Sequence, residues 1–168
     1  MSIVDFDELP DTSRLWIYAA DRPLTSGEVQ QLQEGMQHFL TEWSAHKREL
    51  RTGWCLRYDQ FIMIGVDENT IAASGCSIDS MVRKLQAFEK ELDCSIVGTS
   101  MHVFYRGEND EIKWSSRPEF KKMLATGAVD KTTVVFNNVI QTLAEFRNGG
   151  WEIPLLHSWH ADALTVRA

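Results

Sequence analysis

An α+β fold with an antiparallel sheet is what the hydrophobic patterns of this chain predict. Three observations carry the prediction. Short runs alternate between aromatic or branched residues and others, two longer segments have helical spacing, and the two kinds follow one another in a definite order.

The first strand is expected over residues 14–20 (RLWIYAA), rich in aromatic and branched side chains, with Asp21-Arg22-Pro23 ending it. Thr25 or Ser26 then offers a helix cap, with Glu28 in the first turn. Val29, Leu32, Met36, Phe39, Leu40 and Trp43 follow at steps of 3, 4, 3, 1 and 3, which places them on one helical face interrupted only by Gly35. Strands are expected at 52–58 and 61–66, joined by a tight Asp59-Gln60 turn. A second helix, capped by Ser77, is marked by Ile78, Met81, Val82, Leu85, Phe88 and Leu92 at steps of 3, 1, 3, 3 and 4. A strand at 100–106, a turn at Glu108-Asn109-Asp110 and a partner strand at 111–115 complete the set.

The order β-α-β-β-α-β is that of the ferredoxin-like, split βαβ two-layer sandwich. Residues 1–13 read as a lead-in, 14–116 as the core, and 117–168 as an irregular extension packed on it, giving one compact domain. Within the extension, Pro118 starts a short helix that ends at Gly127, residues 132–136 form a strand, and 139–146 form another short helix. The remainder is an aromatic, irregular tail.

Composition narrows the function classes. A 168-residue chain can bury roughly two-thirds of its unfolded surface without disulfides or metals. The net charge of −7, with no basic run, argues against a nucleic-acid partner, since phosphate binding needs a basic surface. Three cysteines, Cys55, Cys76 and Cys94, without CxxC spacing make no disulfide framework. The acidic N-terminus is not a signal peptide, and no apolar run is long enough to span a bilayer. These features point to a reducing cytoplasm and no membrane.

Side chains alternate between the two faces of a strand. With a two-residue turn at Asp59-Gln60, Leu15, Ile17, Ile62, Ile64 and Val66 gather on a face for the helices. Trp16, Tyr18, Trp54, Tyr58, Phe61 and Met63, with Phe104, gather on the other. A face so rich in rings needs a cover, because isolated monomers seldom expose such patches. The C-terminal segment through Trp151, Pro154 and Trp159, a second copy in a homodimer, or a ligand would each serve. Trp16, Tyr18, Trp54, Phe61 and Trp159 are therefore the candidate ligand-binding residues.

At Arg14-Leu15-Trp16-Ile17-Tyr18, Trp43-Ser44-Ala45-His46, Gly75-Cys76-Ser77-Ile78-Asp79, Phe136-Asn137-Asn138, Trp151-Glu152-Ile153-Pro154 and Ser158-Trp159-His160, the chain resembles a family of small bacterial proteins of unknown function, over residues 14–160. Members are often labelled "ABC transporter ATPase". A cassette ATPase needs a Gly-x-x-x-x-Gly-Lys-[Ser/Thr] loop to cradle phosphates, and no glycine here is followed by lysine. ATP hydrolysis by that route is not expected, and the resemblance implies no activity.

The sharpest chemical candidate is Ser74-Gly75-Cys76-Ser77-Ile78-Asp79. With Ser77 as cap, Cys76 sits just outside a helix N-terminus, where the dipole and free amides stabilise a thiolate. Gly75 lets the backbone turn sharply before the helix. A nucleophilic cysteine needs a base. The split βαβ layout puts the end of the first helix, with His46, far from the start of the second, so His160 in the tail is the expected partner and Asp79 lies near the helix start. His38 is expected in solvent. Cys76, Asp79, His157 and His160 are acceptable zinc ligands, but no spacing among them is diagnostic, and no metal or other cofactor is expected. Asp67-Glu68 could pair as acid and base, though both more simply end a strand. An RNA-recognition role fails on the missing basic-Gly-aromatic signature and on the acidic charge.

Two functions from different classes result. One is a non-enzymatic module that binds a small ligand or protein partner, or forms a homodimer. The other is a thiol-dependent enzyme or redox sensor with Cys76, His160 and Asp79 as catalytic residues.

Overall fold

In the computed structural model the chain is described at residues 3–45, 50–69 and 71–166. It is α+β with two antiparallel sheets, and it divides into two compact units: Met1–Ser100 with Gln141–Ala144, and Met101–Ile140 with Glu145–Ala168.

The first unit is built on β1 (Arg14–Ala19), β2 (Arg51–Arg57) and β3 (Phe61–Asp67) in the order β1-β3-β2. Two helices, α1 (Ser26–Ala45) and α2 (Gly75–Leu92), pack on one face. A reciprocal capping box opens α1. The Glu28 amide donates to Thr25 Oγ1 at 3.3 Å, and the Thr25 amide donates to Glu28 Oε2 at 2.8 Å. The apolar stripes read from the sequence, Leu32, Met36, Leu40 and Trp43 on α1 and Met81, Leu85, Phe88 and Leu92 on α2, are all buried against Ile62, Ile64 and Val66.

The three strands follow the split βαβ order, but the fourth strand of a ferredoxin-like sheet is not added to them. The segment expected to supply it becomes β4 (His102–Arg106) of the second sheet. The free edge of β1 is closed by other segments instead. At its end, the Thr99 hydroxyl donates to the Ala19 carbonyl at 2.6 Å and the Asp21 amide to the Ser95 carbonyl at 2.9 Å. At its start, the Leu15 amide donates to the Gln141 carbonyl at 2.8 Å and the Leu143 amide to the Ser13 carbonyl at 3.0 Å. With β1's backbone groups satisfied this way, β4 has no ladder to complete there.

On the sheet face away from the helices, a short turn at Phe6–Glu8 and Leu9 pack over the cross-strand glycine pair Gly53 and Gly65. A Cβ on Gly65 would stand 2.6 Å from Leu9 Cδ1, so this close approach requires glycine.

The second unit holds β5 (Ile112–Ser116), β4, β6 (Val134–Phe136) and β7 (Glu152–Pro154), in the order β5-β4-β6-β7. The helix expected from Pro118 is α3 (Arg117–Thr126). A Ser116–Glu119 capping box opens it, and Gly127, in the left-handed region at φ 78°, closes it. Short helices α4 (Leu143–Arg147) and α5 (His160–Ala163) follow. Arg106 on β4 reaches Glu152 on β7 with two hydrogen bonds, of 3.0 and 2.7 Å, tying the outer strand of the sheet across β6. Among the described residues no helix is long and apolar enough to cross a membrane.

Candidate functional site

The end of α1 and the start of α2 meet. Trp43, in the last turn of α1, donates its indole Nε1–H to the Ser77 carbonyl at 2.9 Å. The two helix termini are therefore neighbours, which corrects the expectation that they lie at opposite ends of the layer. His46, whose pairing with Cys76 was set aside on that ground, lies outside the described residues.

A groove of about 770 Å³ opens at this junction. Its apolar lining is Phe39, Trp43, Leu50 and Ile71. The Phe39 and Trp43 rings, one helical turn apart, stack with centroids 5.5 Å apart and planes at 25°. Trp43 and Leu50 are buried and form the floor, while Phe39 and Ile71 are half-buried and face the opening. Ser74, Ser77, Ser80 and Cys76 line the α2 side, and Glu42 lines the α1 side.

Ser74, not Ser77, caps α2: its Oγ accepts from the Ser77 amide at 3.2 Å. Serine serves at either position, and the cap falls where extended backbone (φ −75°, ψ 162°) precedes the first helical residue. Gly75 is the first helical residue rather than a sharp turn before it, and Cys76 stands inside the first turn, exposed, on the groove wall. Asp79 follows one turn later on the same helix and is exposed.

Cys76 is the exposed cysteine of the three. Cys55 and Cys94 are partly buried, and burial pushes the Cys55 thiol up to about 11 and raises the Cys94 thiol as well.

His160 belongs to the second unit and is enclosed by that unit's own residues. Its Nδ1 lies 2.6 Å from Ser158 Oγ, and its ring stacks on Trp159 at 4.1 Å. The Arg117 guanidinium covers the Trp159 ring at 4.9 Å. Burial, and secondarily the Arg117 charge, lowers the His160 pKa to about 4, so the ring is neutral at pH 7. Its surroundings are those of a packed core histidine with one nitrogen already engaged.

The proposed aromatic face does not exist as one surface. Strand pairing sets Trp16 and Trp54 both opposite Ile64, and Tyr18 opposite Ile62, so these three rings share the helix-facing side and pack, half-buried, on its core. Phe61 points the other way, with Ile17 and Met63, and is completely buried. The physical reason is the hairpin loop. Arg57 pairs with Phe61, so Tyr58, Asp59 and Gln60 all lie in the loop, one residue more than the expected turn. A slip of one residue exchanges every side chain between faces. Trp159 lies in the second unit against His160.

Other candidates have structural partners. Asp67 accepts from Arg51 at 3.1 Å and Glu68 from the Ala73 amide at 3.2 Å. His102 stacks on Trp114 at 4.1 Å, and His38 is exposed beside Glu42. No cluster of three metal-ligating side chains occurs among the described residues.

The groove residues Phe39, Leu50, Ile71 and Ser80 had no place among the sequence candidates. Phe39 and Trp43 register in the sequence only as part of the apolar stripe of α1. Their lining role arises from the meeting of two helix ends, which periodicity does not encode. Comparison of the chain with protein-family models, with curated proteins and with solved structures gives no match.

Proposed function

We propose that this chain is a non-enzymatic module that binds a small ligand with an aromatic or branched apolar body in the groove between the end of α1 and the start of α2. One observation carries the reading: a stacked Phe39–Trp43 pair, with Leu50 and Ile71, lines an opening of about 770 Å³. That size lies within the range of roughly 300–1,000 Å³ typical of small-molecule sites, which combine apolar walls with a few polar groups. Ser74, Ser77, Ser80 and Glu42 supply the polar groups. Three free thiols fit a reducing cytoplasm, and the binding role would extend to the small bacterial proteins that the chain resembles.

The test is a screen of small aromatic fragments against the full chain by saturation-transfer NMR. Several fragments should give signals, and Ser80→Trp, which fills the groove, should abolish them. Silence from every fragment, or signals that survive Ser80→Trp, would overturn the reading.

A second reading keeps Cys76 as a reactive thiol, because it lines the same groove from the first turn of α2. Titrating its alkylation rate against pH, with Cys55 and Cys94 replaced by serine, decides it. An apparent pKa well below about 8.5 supports this reading, and an ordinary value removes it.

A further inference from the structure

We infer that the ligand of this groove is a cation: an ammonium group carried on an aromatic or branched apolar body. The inference rests on the binding reading above and specifies the chemistry of the occupant.

Charge complementarity carries it. Among the described lining residues one side chain is charged, the carboxylate of Glu42, and none is cationic. Glu42 precedes Trp43 and lies three residues after Phe39, so carboxylate and ring edges border one opening. An ammonium beside them gains both the carboxylate and the electron-rich face of the half-buried Phe39 ring. The serine oxygens of Ser77 and Ser80 on the opposite wall are able to accept its remaining N–H groups. Glu42 Oε1 also lies 3.5 Å from His38 Nε2, with both side chains largely exposed, a contact that a ligand ammonium would replace. An anionic ligand, by contrast, meets Glu42 with no compensating charge from the described wall, on a chain whose net charge is −7. Because Glu42 is solvated, its preference for the cation is moderate, about threefold to tenfold in affinity.

The experiment titrates the full chain with three probes of matched size: 2-phenylethylamine, 2-phenylethanol and phenylacetate. Amide chemical shifts at low salt are the readout. The amine should bind about threefold to tenfold more tightly than the alcohol, and phenylacetate most weakly. Glu42→Gln should bring the amine-to-alcohol ratio to within about twofold, whereas Glu34→Gln, on α1 outside the groove, should leave it unchanged. Equal binding of amine and alcohol by the wild-type chain, or a preference that survives Glu42→Gln, overturns the cation inference and leaves the groove reading standing. Absence of binding by all three probes overturns both.

Discussion

The indole Nε1 of Trp43 donates to the Ser77 carbonyl at 2.9 Å, fastening the last turn of α1 to the first turn of α2. The same indole is the floor of the groove and one half of its stacked ring pair. One side chain therefore fixes the relative position of the two walls and supplies part of the lining.

Replacing Trp43 by Phe keeps a ring in place but leaves the Ser77 carbonyl without this donor. We predict a loss of about 1–2 kcal/mol in stability, measured by urea unfolding, together with a larger loss of fragment binding than the stability change explains. Unchanged binding would show that the junction does not shape the groove.

Gly35 sets the approach of α1 to α2 in the middle of both helices. A Cβ there would stand 2.5 Å from Cε1 of the buried Phe88 ring. Alanine would gain up to about 1 kcal/mol in helix propensity but would overpack the site by about 1–3 kcal/mol. We predict that Gly35→Ala is net destabilising by about 1 kcal/mol in urea unfolding, and that Phe88→Leu on the Gly35→Ala background costs less than Phe88→Leu alone. Additive costs would contradict this packing.

Most of the fold was legible in the sequence, and the failures have one kind of cause. The stripes from Leu32 to Trp43 and from Met81 to Leu92, and the Pro118-to-Gly127 helix, form where periodicity and caps put them. Relations between elements were not legible. Alternation fixes which residues of a strand share a face. It does not fix which face meets a neighbour, and that depends on whether the loop before Phe61 holds two residues or three. Tyr58 and Asp59 both adopt positive φ (55° and 52°), a backbone that neither residue advertises as a glycine would. Trp16, Trp54 and Phe61 were assigned to one surface for that reason. The groove escaped likewise, since Phe39 and Trp43 look like any other core pair until α2 starts beside them.

His160 gives the chain a predicted acid sensitivity. Its folded pKa of about 4 lies below the usual 6.5, so between these values the unfolded chain binds the extra proton. The stability of the neutral ring is complete above pH 6.5 and is lost as the pH falls toward 4, up to about 3 kcal/mol in all. Urea unfolding from pH 7 to 4 should show this slope, and His160→Gln should remove most of it. A slope unchanged by the substitution would contradict the buried, neutral ring.

A second acid step belongs to Glu28. Its hydrogen bonds with Arg22, at 2.8 and 2.9 Å, and then with the Thr25 amide hold its carboxylate down at about 2. Arg22 also donates to the Leu92 carbonyl at 2.8 Å, linking the start of α1 to the end of α2. The contribution of this carboxylate is present above pH 4.5 and is lost as the pH falls toward 2. Glu28→Gln should flatten that part of the profile and leave the His160 step at higher pH. Unfolding curves of wild type and variant that stay parallel from pH 4.5 to 2 would contradict the assignment.

The most direct test of the groove is an amide shift map of the full chain titrated with indole. The groove reading predicts that the largest changes fall at Phe39, Trp43, Ile71 and Ser77, at both helix ends and together. Changes centred elsewhere, or none at saturating probe, would contradict it.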